Sequence, residues 1–337
     1  MLQGEFAAAA AQFRELFAEA EAAHDPIGPV ASLSHLSHTL AYLGDTNGAR
    51  TAATTAAALG AEFGGFVEGL GYGPLARAAL AAGDVEAAFE ASEVARQRLS
   101  AHPVPAGNVN PIAEIALARG DLTAAKRYAD EAVALASGVN LAIALIARTR
   151  VAIAHDEREQ AESDAHKALA CGVSVDAHAT APDALECIAA LAGHAESQRE
   201  AARLFGAADA MRRRIGIVRF KVYDADYDVA MAAVRAALGD SDFESAFAEG
   251  SALSTDEAIA YAQRGRGERK RPTSGWASLT PSERDVVRLV SEGLGNKDIG
   301  TRLFISPRTV QTHLTHVYTK LGLTSRVKLV QEAARHA

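Results

Sequence analysis

A short pattern recurs along the first part of this chain, and it limits the fold more than any other feature. An apolar helical segment ends in a small turn, and a second helical segment starts a few residues later with Ala. LAYLGDTNGAR around Gly44, LAAGDVEAA around Gly83 and LARGDLTAA around Gly120 are the clear copies. AHDEREQA around Asp156 and LAGHAESQ around Gly193 are weaker ones. Taken as register marks, these five residues are spaced 39, 37, 36 and 37 apart. A fixed period of this length is the mark of stacked supersecondary units, here helix-turn-helix pairs. Gly at the turn permits a left-handed residue, and the small Ala after it lets paired helices approach closely. No segment alternates as a strand does, so the expected class is all-α.

The pattern resembles tetratricopeptide-type repeats, although the aromatic positions of that family are mostly absent. An irregular all-α domain without true repeats is the alternative. Hydrophobic residues make up 49% of the 337, but aromatics only 6%, so the core is expected to be Ala, Leu and Val. A first helix is expected over Gly4 to Ala23, broken by Asp25-Pro26 and Gly28-Pro29. Gly64, Gly65, Gly69, Gly71 and Gly73 carry no following Lys-Ser/Thr, and they are expected to loosen a helix pair. No GxxxxGK[ST] occurs anywhere in the sequence, so no P-loop cradles phosphate. The absence of βαβ alternation argues against a receiver domain.

Near residue 200 the pattern changes. EAARLFGAADAMRRRIG reads as an amphipathic helix whose Arg212, Arg213 and Arg214 complement the helix dipole. Another helix follows after Val222, and Ser254-Thr255-Asp256-Glu257 opens a short one. Arg264 to Arg271 holds five basic residues and one acid, and its glycines with Pro272 predict an extended tether. Charge divides there. Residues 264–337 carry 14 Lys/Arg against 6 Asp/Glu, and the rest carries 20 against 36. A basic tail on an acidic body predicts that only the tail touches nucleic acid. The opposite charges also make masking of the tail by the body physically feasible. The expected division is 1–250 for the repeats, 251–273 for a short helix and linker, and 274–337 for the last domain.

That last domain is read from NKDIGTRLFISPRTVQTHLT. Asn296 is expected to cap one helix, with Ile299 and Leu303 on its inner face. Phe304 and Ile305 form an apolar elbow. Ser306 caps the next helix, with Pro307 at its first position, where a missing N–H costs nothing. Val310, Leu314, Val317 and Leu321 then make one apolar stripe, and Arg308, Gln311, Thr312, Thr315 and Thr319 face the other way. Such a helix suits the DNA major groove. Upstream, Leu279-Thr280-Pro281-Ser282-Glu283 reads as a capping box, and Gly293 and Gly295 end the helix it starts. Arg326 to Ala334 reads as a fourth helix.

The LTPSE start, EGLGNKDI, SPRTVQTH and the KLG-x-x-SR ending resemble the DNA-binding domain of the LuxR (GerE-type) family of bacterial regulators. The body more loosely resembles the helical-repeat arm that precedes this domain in large actinobacterial LuxR-type ATP-binding regulators. The resemblance implies a four-helix domain whose second helix-turn-helix element enters the major groove. Arg308, Gln311, Thr312 and Thr315 are then expected at base edges, and Lys297, Thr309, His313 and Lys320 at phosphates. It also implies a homodimer on DNA, paired through Val327, Val330 and Ala333. Many relatives carry Lys at the position of Gln311, so the site preference here is expected to differ.

The expected partners are double-stranded promoter DNA and, on the repeats, RNA polymerase or another protein or ligand. No catalytic motif, cofactor or metal site is expected. His35 and His38 share a helix face without a third ligand, and Cys187 and Cys171 are read as buried thiols. No apolar run is long enough for a bilayer and no charged-then-apolar leader opens the sequence, which places the chain in the cytoplasm. The leading reading is a non-enzymatic transcriptional regulator. The alternatives are the output half of an ATP-dependent regulator acting with a separate ATPase chain, and a protein-interaction scaffold.

Overall fold

The structure is a computed structural model. It describes residues 5–99, 111–268, 275–276, 279, 281–303, 307–323 and 325–333. The chain divides into two compact units, Met1–Gln263 and Arg264–Ala337. All regular structure among the described residues is helical.

The first unit opens with α1 (Phe6–Ala22) and continues in five helix pairs. These are α2 (Gly28–Tyr42) with α3 (Thr46–Ala61), α4 (Gly65–Ala82) with α5 (Val85–Leu99), and α6 (Ile112–Ala118) with α7 (Leu122–Leu135). The last two pairs are α8 (Gly138–Ala154) with α9 (Arg158–Ser174), and α10 (Ala181–His194) with α11 (Gln198–Ile215). Three further helices follow: α12 (Asp224–Leu238), α13 (Asp240–Ser251) and α14 (Thr255–Glu268).

One turn geometry serves all five pairs. A residue at positive φ ends the first helix: Gly44, Gly83, Gly120, Asp156 or Glu196. The next residue donates its N–H back to the carbonyl five residues earlier, closing a Schellman motif. These bonds are Asp45 to Leu40 O at 3.0 Å, Asp84 to Ala79 O at 2.9 Å and Asp121 to Ala116 O at 3.0 Å. Glu157 to Ala152 O at 2.8 Å and Ser197 to Ala192 O at 3.0 Å complete the set. In the first three pairs the Asp also caps the second helix. Its Oδ1 accepts from Gly48 N, Ala87 N or Ala124 N at 2.9–3.1 Å. Four residues past each cap position lies Ala49, Ala88, Ala125, Ala161 or Ala201, every one without solvent exposure. There a larger side chain would push the pair apart.

Several expectations need correction. The fifth turn is at Glu196, three residues beyond the expected mark, and Gly193 lies inside α10. The α4 glycines tighten the helix pair instead of loosening it. A Cβ on Gly71 would sit 2.4 Å from Ala57 N, and one on Gly60, in α3, would sit 2.6 Å from Val67 O. Gly265 does not end the helix, because α14 runs to Glu268, and Ala258, Ile259 and Ala262 belong to the core. Residues 269–271 of the expected tether lie outside the described residues. Ser254 and Glu257 do form a capping box, with reciprocal bonds of 2.9 and 3.2 Å. Cys187 is buried, and burial pushes its thiol up to about 11. Cys171 is only half-buried, and its thiol donates to Gly138 O at 3.3 Å.

Arg212 departs furthest from its expected role. It is buried, and its guanidinium holds Glu186 through two bonds of 3.0 and 3.1 Å and reaches Asp183 at 3.2 Å. Arg219 grips the same Glu186 at 2.8 and 3.1 Å, and Arg150 also bonds Asp183. Partly buried Asp183 and buried Glu186 thus form the centre of an ionic cluster within the repeats. Asp164 is fully buried too, held by Arg148 at 2.7 and 3.0 Å. After α11 the chain returns to the first pairs. Val218 N donates to Tyr42 O at 2.8 Å, and the Phe220 and Tyr42 rings meet at 5.1 Å.

Candidate nucleic-acid interface

The second unit contains α15 (Pro281–Ser291), α16 (Asn296–Leu303), α17 (Pro307–Leu321) and α18 (Arg326–Ala333). Its core is Leu279, Val286, Val287, Leu289, Val290, Ile299, Val310, Leu314, Val317 and Leu329. Gly293 at φ +85° ends α15, and Leu294 N closes the turn onto Leu289 O at 3.2 Å. This is the same device that ends the first helix of each repeat pair.

On α17 the expected stripe is buried. Val310, Leu314 and Val317 are at most 2% exposed, and Leu321 packs partly against them. Gln311, Thr312, Thr315 and Thr319 lie on the exposed side. Thr315 Oγ1 donates to Gln311 O and Thr319 Oγ1 to Thr315 O, both at 3.0 Å. With that proton committed to the helix, each hydroxyl offers lone pairs outward, suited to the amino groups of C or A. The side chains of Arg308 and Thr309 lie outside the described residues, as do Phe304, Ile305 and Ser306.

Three polar side chains brace the motif. Asn296 opens α16, yet its side chain does not serve that helix as the expected cap. Its Nδ2 donates to Gln311 Oε1 at 2.9 Å, and its Oδ1 accepts from Arg326 Nη1 at 2.9 Å. Arg326 also donates to Leu294 O, so it joins the turn, α16, α17 and α18. Buried Glu283 takes Lys320 Nζ at 2.8 and 3.0 Å. The ammonium expected at a phosphate is therefore tied into the core. Glu283 and Arg326 were missed in this role. The only trace of it in the sequence is that both stand in the shared LTPSE and SR segments.

Lys297 is exposed and His313 half-buried on the flanks of the same motif. Of the expected pairing residues, Val330 is 36% exposed. Ala333 packs against the core of its own unit, and the Val327 side chain lies outside the described residues. No helix among the described residues is long and apolar enough to cross a membrane.

Comparison with known proteins agrees with this geometry. Residues 277–333 match the family of bacterial regulatory proteins described as the luxR family, GerE type. The chain is 55% identical over 323 residues to a protein of Mycobacterium bovis named as HTH-type transcriptional regulator Mb0914c. It is equally similar to the protein of the same kind, Rv0890c, from Mycobacterium tuberculosis. These alignments cover 96% of this chain but 36% of each relative, so the chain spans about a third of their length. The oxygen regulatory protein NreC of Staphylococcus aureus is 41% identical over 63 residues, 19% of this chain and 29% of that protein. A helix-turn-helix braced by Asn296 and Arg326, with the polar face of α17 outward, is thus joined to a match across residues 277–333, and the second unit is a LuxR-family, GerE-type DNA-binding domain.

Proposed function

We propose that this chain is a sequence-specific transcriptional regulator whose α17 enters the major groove of promoter DNA. The observation that carries this reading is the division of α17. Val310, Leu314 and Val317 are buried, while Gln311, Thr312 and Thr315 are exposed without an acid among them. Gln311, Thr312 and Thr315, with Arg308, read bases. Lys297 leads the phosphate contacts, with Thr309 and His313 beside it. Lys320 supports α17 through Glu283. The acidic repeat body receives the signal or partner.

The test is binding of the full chain to DNA selected from random sequence, followed across salt. Several phosphate contacts predict a log–log slope of several units. Weak, salt-independent binding would favour a protein-docking scaffold. Two domains are expected on symmetric half-sites, paired on DNA through Val330. An interface that small does not hold a dimer in solution. Val330→Glu should therefore leave folding intact and remove cooperativity between half-sites. Retained cooperativity in gel-shift would refute the pairing.

A further inference from the structure

The first helix of every repeat pair sends one polar or charged side chain into the same cavity. These are Tyr42 from α2, Arg77 from α4, Glu114 from α6, Arg150 from α8 and Asp183 from α10. They recur 35, 37, 36 and 33 residues apart, close to the period of the repeat. Arg212 closes one side, and Phe220 and Tyr223 of the returning segment close another. The cavity measures about 30 Å³. A second one, of about 20 Å³, shares Arg77, Glu114 and Ile143 with the first. Its remaining wall includes Ala113, Ala132, Ala144 and Ala147.

The charges in this cavity are unequally matched. Arg150 and Arg212 are held by Asp183, and Arg212 is shared with Glu186. The Arg150 guanidinium also stacks 3.7 Å over the Tyr223 ring. Arg77 is different. It is only 9% exposed. Glu114 lines both cavities with it, yet no hydrogen bond or ion pair joins Arg77 to any of the described residues. The neighbouring His38 offers no negative charge. Its Nε2 is buried without a partner, and burial, with Arg77 and His35 adding to it, pushes the imidazole down to about 3. A guanidinium that lines a cavity without a bonded partner among the described residues has its N–H donors free for an acceptor there.

We propose that Arg77 is the anchor of a binding site for a small carboxylate, with the head group on its guanidinium and a short aliphatic tail toward Ala144 and Ala147. A planar carboxylate matches the Arg fork through two parallel bonds. The first cavity holds little more than such a group, because one water-sized sphere already takes about 10–15 Å³. A sugar, nucleotide or folded peptide terminus does not fit there. This site deepens the reading of the repeats as the receiving part and rests on it only for its regulatory purpose.

The experiment uses the full chain and propionate as probe, against chloride at equal ionic strength. The melting temperature should rise saturably with propionate, as mass action requires for a ligand of the native state. Arg77→Gln should abolish that rise, and Arg96→Gln, on an exposed helix face, should leave it intact. Ile143 lines both cavities, so Ile143→Phe takes up their space while keeping the Arg77 charge, and it should abolish the rise too. That variant keeps the test valid if Arg77→Gln fails to fold. An equal rise in wild type and in either cavity variant, or no rise in wild type, overturns the site. DNA binding is measured on the same samples without propionate. Loss there sinks the regulator reading and leaves the site standing, whereas a missing propionate response does the reverse.

Discussion

The repeat body and the C-terminal domain end helices with the same device, yet they use the next helix in opposite ways. In the body, each second helix is held close by a fully buried Ala, and charge is turned inward onto buried Asp164 and Glu186 and partly buried Asp183. In the C-terminal domain, α17 buries only its Val310–Leu314–Val317 stripe and keeps a neutral polar face outward. Its ion pair, Glu283 with Lys320, serves the core. The difference teaches that a helix-turn-helix is a generic packing unit. In the function proposed above, it becomes a reading head where one helix face is left exposed and without acids.

The largest expected effect tests the inward charge. Burial alone would raise the Asp183 carboxyl, but Arg212 and Arg150 hold it down at about 2. Asp183→Ala leaves both guanidinium groups short of a partner, a loss of about 3–5 kcal/mol for a broken buried pair. Denaturant unfolding should show the body weakened and the C-terminal domain unchanged. A loss under about 1 kcal/mol would mean that the cluster is well solvated.

Close packing comes next. A Cβ on Gly250 would lie 1.9 Å from Arg203 O, so α13 and α11 must separate in Gly250→Ala. Overpacking of this kind costs about 1–3 kcal/mol. Again only the body transition should move. An unchanged body transition would show that these helices slide apart freely.

Acid should act on the body through His38. Its folded value of about 3 lies below the unfolded value of about 6.5. The neutral folded form therefore contributes stability that is complete above pH 6.5 and is lost as pH falls from there toward 3. The slope for one such proton approaches about 1.4 kcal/mol per pH unit. His38→Asn should flatten the melting profile between pH 6 and 4. A profile as steep as that of wild type would assign the slope elsewhere.

The smallest effect belongs to the reading face. Because Asn296 engages Gln311 Oε1, only the Gln311 amino group is offered to a base. Gln311→Ala should relax one position of the selected site by about 1 kcal/mol, the low end for a base contact. Lys297→Ala should weaken all sequences alike. A selected motif unchanged by Gln311→Ala would remove that residue from base reading.

The sequence by itself determined the elements and their punctuation. Positive-φ glycines at 44, 83 and 120, and the apolar stripe of α17, follow from local rules that act within a few residues. Where Gly was replaced by Asp156 or Glu196 the signal weakened, and the fifth turn was misplaced onto Gly193. Only the tertiary structure decided which charges are buried. Arg212 looks like one of three cations at a helix end. Its partner Glu186 lies 26 residues away, and Arg77, Arg150 and Asp183 meet only when five pairs stack and the chain returns at Val218. Likewise, nothing local tells that Lys320 serves Glu283, 37 residues away, before any phosphate. Burial and ion pairing depend on distances through space, and a linear pattern carries them only after the helices have packed.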